Sequence, residues 1–281
     1  MITRRDNFVR QKERLFRGSI NRLRVVADFD RTLTTNFIHG RKSPSLLGAL
    51  YEGNYLSKDY AAKAQALFDY YRPFEEDLSL NLAAKKALME EWWRQHFALL
   101  IASGLKQEHI MQVADDRLSN LRVGVPEFLD ILSQHQIPLF IFSATGLGSS
   151  GLKYFLTRRG LWTDNICLLA NDFIWSATGE AIGFREPIIH SFNKDETVIT
   201  DFGYNDQLKG RDNILLLGDS LGDANMENGS VNSALLKIGF LNDKIQELLP
   251  AYRQVYDVLI LNDGDFSLPL EILREIINYA D

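Results

Sequence analysis

Two carboxylates one residue apart stand at the end of an apolar run, Val25-Val26-Ala27-Asp28-Phe29-Asp30-Arg31-Thr32. The run reads as a buried strand. Side chains alternate along an extended backbone, so Asp28 and Asp30 are expected to point the same way just past its end. Two acids there can hold a hard cation, and one can attack phosphorus while the other manages the proton. A second apolar run, Leu215-Leu216-Leu217-Gly218, delivers Asp219, and Asp223 follows one helical turn on. Its glycines allow the backbone close to a metal or phosphate, and magnesium is bound through one or two carboxylates plus substrate oxygens and water. Between these motifs, Phe140-Ile141-Phe142 ends in Ser143 and Ala144, where a hydroxyl and free N–H groups before a helix make a phosphate cradle. Lys194 is the fourth piece, a cation able to balance clustered carboxylates and hold a phosphate oxygen. Each fragment alone also suits an ordinary loop, helix cap or surface lysine. Their joint occurrence at comparable strand ends points to phosphoryl chemistry.

The elements that must position these residues follow from the pattern. Continuous apolar runs at Ile137–Phe142, Ile166–Ala170, Ile214–Leu217, Leu236–Phe240 and Val258–Leu261 suit strands buried on both faces of a parallel sheet. Helical stretches separate several of them, which is the βαβ signature. Residues 5–20 read as a charged helix, and Phe173–Phe184, with Thr178-Gly179-Glu180, as a small hairpin. Residues 43–121 read as helices only, with Leu82, Leu88, Met89, Trp92, Trp93, Phe97 and Leu100 at helical spacing and Gly104 as a stop. The expected fold is α/β, a Rossmann-like core with a mainly parallel sheet formed by 1–40 and 122–281, with 41–121 inserted as a helical cap.

Composition narrows the classes. The 281 residues are 46% apolar and 24% charged, as in an ordinary globular protein. A formal net charge of -6 argues against a nucleic-acid polymer or a membrane surface as partner. One cysteine, Cys167, excludes an internal disulfide and, in an apolar run, reads as a buried structural thiol. The N-terminus lacks the apolar core of a signal peptide, and no apolar run is long enough for a bilayer, so a cytoplasmic monomer is expected.

The order strand-Asp-x-Asp-x-Thr, strand-Ser, Lys, strand-Gly-Asp-x-x-x-Asp resembles the haloacid dehalogenase superfamily of aspartate-nucleophile phosphatases. Trp92-Trp93, the stretch Ile189-His190-Ser191-Phe192-Asn193-Lys194 and the stretch Leu236-Lys237-Ile238-Gly239-Phe240-Leu241-Asn242-Asp243 narrow this. Together they look like the cytosolic type III 5′-nucleotidases, which include pyrimidine 5′-nucleotidases and 7-methylguanylate-hydrolysing relatives. The resemblance implies hydrolysis of nucleoside 5′-monophosphates, and phosphate transfer to another nucleoside in some members. It implies Asp28 as nucleophile, Asp30 as proton donor and then base, and Ser143, Ala144 and Lys194 on the phosphate. Magnesium is expected on Asp28, the Asp30 backbone carbonyl and Asp219, with Asp223 behind them fixing metal-bound water or Lys194. Thr32 is expected to support the loop. Base recognition falls to Glu75, with Glu76 as its rival, to Trp93, and to His96, which stands where the family often carries Ser or Ala. Of the adjacent Trp92 and Trp93, one is expected in the core. The rival readings are a phosphatase of another small phosphomonoester and a catalytically silent nucleotide-binding protein on the same fold.

Overall fold

The computed structural model describes all residues except 1, 44–47, 49, 51–54, 78, 117–120, 230–231 and 281. Six of the apolar runs and a short N-terminal strand form a seven-stranded sheet in the order β1-β11-β10-β9-β2-β5-β6. Its strands are β1 (Ile2–Arg4), β2 (Leu23–Asp28), β5 (Leu139–Ser143), β6 (Ile166–Ala170), β9 (Asn213–Gly218), β10 (Ala234–Leu241) and β11 (Val258–Leu261). All pairs are parallel except β1 with β11.

Every residue of β2, β5, β6, β9 and β11 is buried, and the period-2 alternation decides which layer each side chain enters. Val25, Ala27, Ile141, Leu215 and Leu217 join one apolar layer. Val26, Phe140, Phe142, Ile214 and Leu216 join the layer on the other face. Helices supply the rest of each layer. Val125–Gln134, for example, buries Val125, Phe128, Leu129 and Leu132, one stripe at helical spacing.

The chain builds β2, β5 and β6 outward in one direction, then crosses back to start β9, β10 and β11 outward in the other. The reversal falls between β2 and β9. Open α/β sheets bind ligands in the crevice outside the carboxyl ends of the strands at such a point. The register sets the acids there side by side: Ala27 pairs with Leu217 on one neighbour and Ile141 on the other, and Asp28 pairs with Phe142.

Between β2 and β5 lie a short hairpin, β3 (Phe37–Ile38) with β4 (Arg41–Lys42), and the helices Tyr60–Glu76, Leu82–Ala102 and Gln107–Asp116. Part of the expected all-helical stretch, at 44–47, 49, 51–54, 78 and 117–120, lies outside the described residues. The two long helices pack on each other, with Tyr71 stacked on Trp92 at 5.8 Å between ring centroids and Gln95 donating to the Tyr71 hydroxyl at 2.9 Å. Asn81 caps the second helix by accepting from the Ala84 N–H at 2.9 Å, and Gly104, at φ +81°, follows its end. The hairpin β7 (Phe173–Trp175) with β8 (Ala181–Phe184) braces this block. Phe97 meets Phe173 and Phe184, both with centroids 5.4 Å away. The charged N-terminal segment is helical over Phe8–Phe16, shorter than its composition suggests. No described helix is long and apolar enough to cross a membrane.

Candidate active site

The end of β2 and the loop after β9 bring three carboxylates together. Asp28, Asp219 and Asp223 each place a carboxylate oxygen within 4.8 Å of the other two. Lys194, 7% exposed, enters from the loop after the β7–β8 hairpin and bridges two of them. Its Nζ donates to Asp28 Oδ1 at 2.5 Å and to Asp223 Oδ1 at 3.0 Å. Asp28 and Asp223 are themselves 5% and 1% exposed. A lysine 166 residues from Asp28 in sequence thus joins the acids, as its type alone could not establish.

Asp223 organises the loop it sits on. Its Oδ2 accepts from Ser220 Oγ at 2.7 Å, the Ser220 N–H at 3.0 Å and the Asp219 N–H at 3.3 Å. It folds back over Gly218, where a Cβ would lie 2.4 Å from the Asp223 Cβ, so only glycine fits. Gly222 allows a second close approach: a Cβ there would lie 2.4 Å from the Ser191 carbonyl oxygen in the Lys194 loop. Two tyrosines pin the other side. Tyr252 donates to the Asp219 carbonyl at 2.7 Å, and Tyr256 to the Ser220 carbonyl at 2.5 Å. With its oxygens held by these donors and by Lys194, Asp223 is an anchor, and Asp28 and Asp219 are the more available ligands.

The charges are unbalanced. Burial pushes the Asp28 carboxyl well above the ordinary carboxylate range; Lys194 opposes this, while Asp223 and Asp219 add to it. Asp219 is pushed up to about 7, first by burial and then by Asp223, against the pull of Arg31 and Lys194. Burial also opposes the charge on Lys194, but Asp223 and Asp28 outweigh it and hold the ammonium above its usual range. Three carboxylates share one ammonium, bonded directly to Asp28 and Asp223, with Arg31 and Arg122 adding a pull on Asp219. A divalent cation would relieve that excess, and hard oxygen donors at this spacing suit magnesium. The residues therefore fit a metal.

Ser143 closes β5 beside Asp28. It is buried, and its Oγ accepts from the Thr145 N–H at 3.3 Å. Ala144 follows, half-buried. Asp30 is half-buried in the turn after β2, and Thr32 behind it is fully buried. Glu75 ends the Tyr60–Glu76 helix and reaches across to the Lys194 loop. Its Oε1 accepts from Ser191 Oγ at 2.5 Å and its Oε2 from Arg72 at 2.6 Å. Glu76, its rival, is instead an exposed partner of Arg72.

Trp93 and His96 pack with each other, their ring centroids 6.1 Å apart. His96 is 2% exposed, its Nε2 lies 3.1 Å from the Tyr60 hydroxyl, and burial lowers its pKa to about 4. Neither tryptophan is wholly in the core. Both are half-buried, Trp92 against Tyr71 and Phe68 and Trp93 against Phe97. Adjacent helical positions point about 100° apart, and here both directions are only partly covered. Cys167 is buried, and burial pushes its thiol up to about 12, as an inert structural cysteine requires.

Sequence reasoning missed Tyr252, Tyr256 and Arg122. The buried guanidinium of Arg122 binds the Arg31 and Thr32 carbonyls directly behind the acid pair. No local pattern marks such residues, because their partners are distant in sequence.

Comparison with known proteins places this architecture. A phosphoserine phosphohydrolase-like protein from Francisella tularensis superposes with a TM-score of 0.55 over 91% of this chain and 99% of its own, at 15% identity, a likeness of fold alone. The fold is that of the haloacid dehalogenase-type phosphatases. A crystal structure of cytosolic 5′-nucleotidase IIIB bound to cytidine is far more similar: TM-score 0.88, 30% identity, 99% of this chain and 94% of that one. The 7-methylguanosine phosphate-specific 5′-nucleotidase A of Xenopus laevis is 36% identical over 262 residues, covering 93% of this chain and 90% of the relative. Its human counterpart is 33% identical over 264 residues, 94% and 87% of the two chains. The family profile described as pyrimidine 5′-nucleotidase (UMPH-1) matches residues 31–277. The chain belongs to the pyrimidine 5′-nucleotidase (UMPH-1) family and is a nucleotide phosphomonoester hydrolase.

Proposed function

We propose that this protein is a magnesium-dependent 5′-nucleotidase that hydrolyses nucleoside 5′-monophosphates through an aspartyl-phosphate. The observation that carries this reading is the buried Lys194 ammonium bridging Asp28 and Asp223 beside Asp219 at the sheet's reversal point. Asp28 and Asp219, with the Asp30 backbone carbonyl, would hold the metal. Bound there, magnesium supplies neutralising charge to the phosphate and lets an anionic carboxylate approach it. An Asp28 oxygen forms a bond to phosphorus as the bond to the ribose O5′ breaks. Asp30 gives O5′ its proton, so the nucleoside leaves as an alcohol. Asp30 then takes a proton from a water that attacks the same phosphorus, freeing phosphate and regenerating Asp28. Ser143 Oγ, the Ala144 N–H and Lys194 hold the other phosphate oxygens. A nucleoside hydroxyl taking the place of that water would give phosphate transfer.

Residues 41–121 serve in this reading as the cap and 1–40 with 122–281 as the core. Glu75 faces the core through Ser191 and is assigned to the base, with Trp93 as its stacking surface and His96 backing Trp93. Cytosine offers Glu75 an exocyclic amine. 7-Methylguanine offers ring and exocyclic N–H groups and a positive charge, so its bonds would be charge-assisted and its ring would stack on Trp93 with about 0.5–2 kcal/mol of cation–π attraction. The names of the relatives fit both bases. A reducing, cytoplasmic compartment suits the single buried Cys167. The test is phosphate release from CMP, UMP, 7-methyl-GMP, AMP and GMP, with and without magnesium. Magnesium-dependent release, with CMP and 7-methyl-GMP ahead of AMP and GMP, is expected. No release from any nucleotide with magnesium saturating would overturn the reading.

A further inference from the structure

Arg122 stands where the chain returns to the sheet, and its side chain is fully enclosed. Its Nε donates to the Thr32 carbonyl at 2.8 Å and its Nη2 to the Arg31 carbonyl at 2.5 Å and to Asn242 Oδ1 at 2.9 Å. Its Nη1 donates to the Gly264 carbonyl at 2.6 Å and meets Asp263 Oδ1 at 2.9 Å. The guanidinium also lies over the Phe240 ring, 4.5 Å from the centroid.

The partners continue the brace. Asn242 Nδ2 donates to the same Arg31 carbonyl at 3.0 Å, and the Asp263 oxygens accept the Asn36 and Phe37 N–H groups at 2.8 and 2.9 Å. The Arg122 N–H donates to the Leu33 carbonyl at 3.0 Å. The bonds to the Arg31, Thr32 and Leu33 carbonyls converge on the turn that follows Asp30, and those through Asp263 and Gly264 tie the same stretch to the loop after β11. Arg31 itself has φ +65°, the left-handed region that a residue with a Cβ adopts at a cost. Such a conformation persists when its surroundings over-determine it, and here one carbonyl is held by two side-chain donors.

We propose that Arg122 is a positioning residue for Asp30: its planar fork, with Asn242, fixes the 31–32 turn and so the aim of the Asp30 carboxylate at the leaving oxygen. The proposal rests on the reading of Asp30 as proton donor. Only arginine carries enough donors in one plane to satisfy these carbonyls together. A lysine keeps the charge and leaves part of the set unpaired.

The test compares wild type, Arg122→Lys and Asn242→Ala in the full chain, on CMP and on p-nitrophenyl phosphate. Nitrophenolate leaves without a proton, so a misaimed acid hurts CMP more. For Arg122→Lys, kcat/KM on CMP is expected to fall about 10²-fold, the scale of a small misplacement, and on p-nitrophenyl phosphate by less than about tenfold. Asn242→Ala should show the same imbalance, smaller, and decides the matter if Arg122→Lys does not fold. Hydrogen exchange gives a readout independent of turnover: amides of 29–38 should exchange faster in both variants, with 188–196 around Lys194 unchanged. Equal losses on both substrates, or exchange that is unchanged or raised throughout, would overturn the proposal. A wild type inactive on every nucleoside monophosphate would instead sink the proposed function, and exchange at 29–38 would still decide the role of Arg122.

Discussion

The acid cluster and the helical block solve different problems, and their construction differs accordingly. Asp28 and Asp219 sit at the ends of adjacent central parallel strands, where the register of the sheet fixes their separation, and Asp223 follows on a short 3-10 helix that folds back beside them. The 219–223 loop is tied by short bonds from Ser220, Tyr252 and Tyr256, and Lys194 links it to Asp28. In the helical block, Trp92 and Trp93 are half-buried on one helix, and Glu75 is held by a serine hydroxyl and a partly exposed arginine. Ser191 is a neutral partner that a ligand's N–H donor could replace without stranding a charge. Topology fixes the acids here, while under the proposed function rotatable side chains on helices would face the part of the substrate that varies.

The comparison predicts that damage to the cluster abolishes turnover and damage to the block redirects it. Asp28→Asn should reduce phosphate release from every nucleotide by about 10⁴-fold or more, the scale for loss of a nucleophile, with the circular dichroism spectrum unchanged. Near-normal release from the pure variant would break the account of the cluster. Lys194→Met removes the cation facing the acids and the phosphate and should cost about 10²–10³ in kcat, against no change for a control at exposed Lys209. Wild-type kinetics in the Met variant would return Lys194 to a structural role.

Under the proposed function, metal is expected to act on the cluster alone. Chelation should stop turnover reversibly, and magnesium at about a hundred times its dissociation constant should stabilise the fold by about 2.7 kcal/mol. That gain in melting temperature should vanish in Asp219→Asn. A variant that still gains it would move the metal elsewhere.

In the block, Glu75→Gln and Trp93→Ala should shift the ratio of kcat/KM between 7-methyl-GMP and AMP by about tenfold, or about 1.4 kcal/mol, while p-nitrophenyl phosphate is turned over as before. An unchanged ranking would remove both residues from the base site.

The smallest effect on turnover is expected from His96. Burial holds its folded pKa at about 4, below the ordinary 6.5. Between these values the unfolded chain takes up a proton that the folded chain refuses, so the stabilisation is complete above about pH 6.5 and is lost as pH falls toward 4. The span corresponds to about 3 kcal/mol. His96→Asn should flatten the slope of unfolding free energy over that range, measured in urea. An unchanged slope would show that the imidazole is not shielded.

What the sequence revealed follows the same division. The core strands were legible because each carries a short, mostly apolar run, and Asp28 and Asp219 were legible because they end such runs. The pairing of Lys194 with Asp28 and Asp223 was readable only as a possibility, since a lysine in a loop carries no record of what it faces. β1 escaped notice: three residues, Ile2-Thr3-Arg4, pair on one side only and show no continuous apolar run. The β3–β4 hairpin is two residues a side, too short for any period. Arg122 and Asp263 escaped because a buried charge is recognised by partners distant in sequence. In the block, helical spacing gave the angular direction of Trp92 and Trp93, but not which neighbours would cover them.

The central claim is that Asp28 becomes covalently phosphorylated. Acid-quenching the enzyme with CMP and magnesium in the first turnover, then digesting it and sequencing the peptides by mass spectrometry, tests this directly. A phosphoryl group on Asp28 in the peptide that contains it, absent without magnesium and absent in Asp28→Asn, is the predicted result. Burst-phase release of cytidine with no phosphorylated peptide, or the label on any other residue, would contradict it.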